Sequence, residues 1–292
     1  MRSFPFILII VIFFSACEKD ISVNLQQQEP QLVVEGQFEN DAFPFVVLSH
    51  SLDYFSKIDP AVLLNSFVHG ATVSVSDGNR TMALKEQVIN INGAKLYVYL
   101  PDTSQMANAF RGKAGLKYKL NINADNKSYE SMTTIPLVAL KLDSMWAQRV
   151  KVKSDTNKAR LWVRITDSPE PGNYARYLTR RNSELFLPGL NSVVDDQIVN
   201  GTTFEIPVDA GVDRNKPIDL ESVGYFNRGD TVTLKFSNID KATYDFWRTI
   251  DFAYNSNGNP FASPIKILGN VPGALGYWGG YAVTYRTIII SK

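Results

Sequence analysis

The chain has 292 residues, with 30 Lys and Arg against 29 Asp and Glu, two histidines, one cysteine and 45% hydrophobic residues. That length accommodates one large or two ordinary domains, each able to bury a core. The near-neutral balance has no run of like charge that could serve as a basic patch, so nothing favours nucleic acid, and a lone cysteine excludes a disulfide framework within the chain.

In chain order, Arg2 precedes an almost wholly apolar stretch, Phe4 to Phe14, which Ser15-Ala16-Cys17 closes. Its unbroken part, Ile7 to Phe14, suits the ~7–15-residue core of a signal peptide and falls short of the ~20 residues of a membrane-spanning helix. Ordinary cleavage before Cys17 would put bulky Phe14 where a small side chain is wanted. Phe14-Ser15-Ala16-Cys17 instead resembles the bacterial lipobox, with phenylalanine where leucine is commoner. The resemblance implies a signal peptide over residues 1–16 and a fatty acyl group such as palmitate on Cys17. Removing those sixteen residues from 292 leaves 276, with 29 basic and 29 acidic, and acylation of Cys17 leaves no thiol for a metal site or a nucleophile. Residues 17–30, with Gln26-Gln27-Gln28 and few apolar side chains, cannot support a core and read as a tether. Cys17-Glu18-Lys19-Asp20 resembles the acidic export signal of Bacteroidota surface lipoproteins; a plain charged linker is the other reading.

From Gln31 the apolar residues come in short clusters bounded by Gly, Asn, Asp and Pro, the pattern of strands and turns. Leu32 to Phe38 and Phe45 to Leu48 read as strands separated by Asn40-Asp41. Ala71 to Ser76 alternates strictly, and Asp77-Gly78 supplies the positive φ angles of a hairpin. Val88 to Ile91 and Leu96 to Leu100 flank Asn92-Gly93, and Tyr118 to Ile122 and Tyr129 to Thr134 flank Asp125-Asn126. About seven strands suffice for a β-sandwich over residues 31–137. Ile135-Pro136 ends that series, because proline cannot sit within a central strand.

Residues 138–292 read as a second, sandwich-like β domain. Its strands are Leu140 to Ala147, Arg160 to Ile165, Tyr174 to Thr179, Thr202 to Ile206, Thr231 to Phe236 and Tyr281 to Ile290. Ser183 to Asn200 and Pro207 to Gly229 suit long surface loops. One helix is expected near residues 240–255. Ala242 to Tyr254 lacks Gly and Pro, and Tyr244, Trp247, Ile250, Asp251 and Tyr254 recur at helical spacing, with Asn238 or Asp240 as cap. The default for that aromatic stripe is packing on a sheet.

With the lipobox, three stretches carry a resemblance: Leu32-Val33-Val34-Glu35-Gly36, Gly70 to Gly78, and Gly269-Asn270-Val271-Pro272-Gly273-Ala274-Leu275-Gly276-Tyr277-Trp278-Gly279-Gly280-Tyr281. Together they resemble a Bacteroidota lipoprotein family of unknown function, catalogued as domain of unknown function forty-two forty-nine, over nearly the whole mature chain. The resemblance implies an outer-membrane lipoprotein with an N-terminal immunoglobulin-like or transthyretin-like sandwich, often encoded beside TonB-dependent receptors, and it brings no catalytic residues.

The residues offer little chemistry. His50 and His69 lack the spacing of a zinc site. Asp167, Glu170, Asp195 and Asp196 sit in expected loops, where solvated charges are the default and a hydrolase carboxylate pair is the alternative. No nucleophile elbow, phosphate loop or dinucleotide fingerprint occurs. Tyr277, Trp278 and Tyr281 form the candidate ligand or partner surface, against the simpler reading in which they plug a core. The expectation is a non-enzymatic protein without metal or cofactor, anchored through Cys17 in the outer membrane and possessing an exterior-facing body. It would bind a ligand or assist a TonB-dependent receptor. A polysaccharide-processing hydrolase and a surface adhesion module are the alternatives.

Overall fold

In the computed structural model, which describes residues 29–52, 59–91, 93–257, 259, 261–263 and 265–292, the alternating segments form strands as the periodicity predicts. They are β1 (Leu32–Glu39), β2 (Phe45–His50), β3 (Thr72–Ser76), β4 (Thr81–Ile91), β5 (Ala94–Pro101), β6 (Lys117–Ala124), β7 (Lys127–Thr134) and β8 (Leu140–Val152). There follow β9 (Asp155–Asp167), β10 (Tyr174–Arg181), β11 (Leu187–Asp195), β12 (Thr203–Val208), β13 (Phe226–Asn227), β14 (Thr231–Ile239) and β15 (Leu275–Ile289). Helix α1 (Pro60–Ser66), a 3₁₀ segment (Thr103–Asn108) and helix α2 (Lys241–Ser256) complete the described elements. The protein is mainly β, as expected. The signal peptide, the tether up to residue 28 and Asn92 of the expected Asn92-Gly93 turn lie outside the described residues.

Eleven strands share one sheet, in the order β11-β10-β14-β15-β1-β2-β5-β4-β3-β6-β7. Asp125 and Asn126, at φ 50° and 58°, make the β6–β7 turn, for which two successive positive φ angles match the twist of the strands. The sheet curls until β7 lies over β15, so closely that a side chain at Gly280 would strike the Thr134 carbonyl. The enclosed core includes Val34, Phe38, Leu48, Val75, Leu120 and Trp278. Each such large apolar side chain contributes about 1.5–3 kcal/mol on leaving water.

β8, β9, β12 and β13 form a second sheet. It stacks on β10 and β14 over a second core containing Leu140, Leu161, Val163, Ile165, Leu234 and Phe236. On the other face of β14 and β15, α2 packs Tyr244 and Phe246 against Ile239, Tyr277 and Tyr281. Both assemblies are therefore sandwich-like. The passage expected after Ile135-Pro136 coincides with the change of core, but residues 31–137 do not complete the first one. Val271, Trp278 and Ala282 belong to it, and Gln31–Lys292 form one compact unit.

Several boundaries differ from expectation for local reasons. Residues 60–66 form a helix because Asp59 accepts from the Val62 amide at 2.9 Å and Pro60 stands in the first turn, where its missing N–H costs nothing. The expected loop Ser183 to Asn200 contains β11, whose register on β10 shifts between Arg176 and Leu178. β15 begins at Leu275, before the expected Tyr281; Gly276 takes a φ of 92°, whereas Gly279 and Gly280 lie within the strand and meet close neighbours. At Gly36 on the adjoining strand an added Cβ would lie 2.5 Å from Trp278 Cε3.

Candidate functional site

The Gly269 to Tyr281 stretch is held by one side chain. Asn270 accepts from the Trp278 amide at 2.8 Å and donates to the Trp278 carbonyl at 2.8 Å, while Ser131 donates to the Asn270 carbonyl at 2.7 Å. Alternation along β15 then sends successive side chains to opposite faces. Trp278 enters the first core, where its indole N–H donates to the Tyr118 carbonyl at 3.1 Å. Tyr277 and Tyr281 lie under α2. Phe246 stacks on Tyr277 at 4.4 Å between ring centroids, Gln37 donates to the Tyr277 hydroxyl at 2.8 Å, and Trp247 donates to the Tyr281 hydroxyl at 2.8 Å. All three residues are at most 3% exposed, which corrects the reading of Tyr277, Trp278 and Tyr281 as a ligand or partner surface. They plug cores. Burial pushes both phenols above their ordinary range.

The interface of α2 with the sheet also holds buried charge. The Arg176 guanidinium lies 3.3 Å from the centroid of the Trp247 ring. Asp251 accepts from the Ser192 amide at 2.7 Å, the Ser192 hydroxyl at 2.8 Å and Arg214 Nη2 at 2.6 Å. Ser192 and Asp251 are fully buried, and each of the two histidines is engaged elsewhere, so this is a clamp for the helix and not an activated nucleophile.

Asp167 and Asp195 end β9 and β11 and do not stand in the expected loops, and Asp167 and Asp196 staple backbone. Asp196 accepts from the amides of Gly172 and Asn173, both at 2.9 Å, and Asp167 accepts from the Gly201 amide at 2.9 Å and from Asn173 Nδ2 at 3.1 Å. Asp195 accepts from the Tyr244 hydroxyl at 2.6 Å. Of the four candidates only Glu170 stands exposed without such a contact among those described; Asp167 and Asp196 meet on Asn173 but are buried, so neither is displayed to a cleft.

One polar concavity gathers titratable groups. His69 Nδ1 lies 2.5 Å from Glu86 Oε1, and Glu86 Oε2 accepts from the Gly70 amide at 3.0 Å. His50 Nε2 lies 2.8 Å from Asp125 Oδ2. A cavity of about 310 Å³ opens beside them, lined by His69, Asn123, Asp125, Asn126, Lys127 and Ser128. Because His50 pairs with Leu32, the first residue of β1, this end of the first sandwich is where the folded unit begins. Donors and acceptors there suit a small polar ligand. Among the described residues no group of three His, Cys, Asp or Glu could hold a metal ion. Sequence reasoning found both histidines but not their carboxylates, since Glu86 comes beside His69 through the pairing of β3 with β4 and Asp125 reaches His50 from the β6–β7 turn, neither of which is local in sequence.

Fold and geometry define a β-rich protein of two sandwich-like layers that share a sheet, with buried carboxylates such as Asp167, Asp196 and Asp251 bonded across elements. The chain belongs to the family described as "Domain of unknown function (DUF4249)", whose model matches residues 18–287. Comparison with curated proteins found no match.

Proposed function

We propose that the chain is an outer-membrane lipoprotein of Bacteroidota type, held by an acylated Cys17, whose body binds a ligand or assists a TonB-dependent transporter without catalysing a reaction. Cys17 itself lies outside the described residues. The observation that carries the proposal is the spacing at the N-terminus. An apolar run ends on Ser15-Ala16-Cys17, and fourteen polar-rich residues, 17–30, precede the compact unit that begins at Gln31. Fully extended, fourteen residues reach about 45–50 Å, enough to carry a folded body clear of the lipid headgroups. The stapled carboxylates of Asp167 and Asp196 and the clamped Ser192–Asp251 pair support binding over hydrolysis.

Stable attachment takes about two acyl chains at ~0.8 kcal/mol per buried methylene. The Cys17→Ser chain is therefore expected to leave the membrane fraction, unprocessed or soluble, with its fold intact by circular dichroism. Retention through a carbonate wash with the signal removed would show that another surface does the anchoring. Recovery of a receptor barrel with the detergent-solubilised protein supports the transporter role, and its absence under all growth conditions removes that role.

A further inference from the structure

The second sheet has an outward face that the reading above does not use. Leu161, Val163 and Ile165 point into the second core, so the alternate residues of β9, Lys158, Arg160, Trp162, Arg164 and Thr166, point away from it. Strand register places Trp146 of β8 and Pro207 of β12 directly opposite Trp162, one on each side. Residues opposite one another share a face, so Trp146, Trp162 and Pro207 form an apolar line across three strands. At about 4.8 Å per strand the line is roughly 10 Å long, the length of two linked sugar rings.

Hydrogen-bonding groups flank this line on both sides. On one side stand Ser144, Arg164 and Glu205, where Arg164 Nε and Nη2 reach Glu205 Oε1 at 3.0 and 2.6 Å. On the other, Gln148 stands opposite Arg160, whose Nη2 lies 3.4 Å from Asp209 Oδ1. The outer cations are paired with carboxylates too, Lys141 with Asp143 at 3.5 Å and Lys158 with Asp155 at 3.7 Å. The face therefore offers donors and acceptors in quantity with little net charge. Two donors, Trp162 Nε1 and Arg160 Nε, are shielded from water and have no acceptor among the described residues. Among those residues β8 pairs only with β9, and Trp146 also lines a cavity of about 350 Å³ at that side with Arg149 and Ile288 to Ser291.

We propose that this face is a binding platform for a neutral glycan chain. The complementary ligand has a flat apolar side to lie on indole rings, edges carrying both hydroxyl donors and acceptors, and no charge. A pyranose has all three: its axial C–H bonds form the apolar side, and its equatorial hydroxyls reach the polar groups on either flank. A nucleic acid or an anionic polymer finds little net positive charge here, because Lys141, Lys158, Arg160 and Arg164 each lie beside a carboxylate. The proposal rests on the reading of the protein as a binder and adds the class of ligand.

The test uses the full chain in detergent, titrated with neutral hexasaccharides of β-1,4-glucose, β-1,3-glucose, β-1,4-mannose and α-1,4-glucose, followed by tryptophan fluorescence and calorimetry. At least one is expected to bind and shift the indole emission. Trp146→Ala and Arg164→Ala are expected to weaken that binding tenfold or more, with melting temperatures unchanged. Should Trp146→Ala lower the melting temperature, Trp146→Phe and Arg164→Ala carry the comparison. Absence of binding at millimolar concentration for all four probes, or affinity unaffected by both variants, overturns the platform. So does tighter binding of an acidic glycan such as a galacturonate hexamer. Chromatography of the same mixtures separates this proposal from the one it rests on: shortened oligosaccharides would end the non-enzymatic reading while leaving the platform in place.

Discussion

Glycine and tryptophan decide the joint between the first and last strands. Gly36 stands opposite Trp278 in the parallel β1–β15 pair, and the indole occupies the space where a Cβ would go. Alanine ordinarily stabilises a strand glycine position by up to about 1 kcal/mol through the unfolded chain. Here the indole is fully buried and bonded to the Tyr118 carbonyl, so the ring cannot step aside without leaving its partner. Gly36→Ala is expected to cost about 1–3 kcal/mol through overpacking. Thermal unfolding should then begin several degrees lower, and an unchanged or higher midpoint would show that the core has room for the extra carbon.

Among elements, α2 depends on one carboxylate with two duties. Asp240 Oδ1 caps the helix by accepting from the Thr243 amide at 2.9 Å, while Oδ2 accepts from the Thr133 hydroxyl at 2.8 Å and the Thr134 amide at 2.9 Å. Helix and edge strand are thus joined by a single side chain. Asp240→Ala is expected to cost about 2–4 kcal/mol, the sum of a lost cap and a partly buried amide left unpaired. Thr133→Val, which removes one bond and leaves the cap, should cost about 1 kcal/mol. Urea midpoints measured at constant slope check both values, and equal losses would contradict the double role.

The same helix was legible in the sequence, since its period, its cap and its polar end are all local. So were the hairpins at Asp77-Gly78 and Asp125-Asn126, where turn chemistry dictates the backbone. β11 was not, because Pro188 and Gly189 interrupt its pattern and it is completed by pairing with β10. Neither was the alignment of Trp146, Trp162 and Pro207, since each comes from a different strand and only register brings them together. For the aromatics of β15 the residue types were visible but their burial was not. Alternation gives two faces, and which of them is covered depends on β7 and α2, distant in sequence.

At the scale of the molecule, the two cores are not separable bodies. β15 contributes Trp278 and Ala282 to the first and Tyr277 and Tyr281 to the cluster under α2, and Ile290 just beyond it to the second. Loss of either core exposes strands on which the other is built. Calorimetry of the protein is therefore expected to show one unfolding transition, with van't Hoff and calorimetric enthalpies equal. Two resolved transitions would mean that the shared strand can part from one core without disturbing the other.

The parallel pairing of β1 with β15 has a consequence for the order of assembly. A ribosome delivers β1 early and β15 among the last segments, and a secretion channel would pass them in the same order. Until β15 arrives, β1 keeps one edge unpaired and the first core lacks its largest aromatic residue. Closure must wait for contacts separated by most of the polypeptide, which makes completion slow and leaves a nascent intermediate with an open, adhesive strand. The vulnerability of a chain built this way to aggregation belongs to its synthesis more than to its finished state.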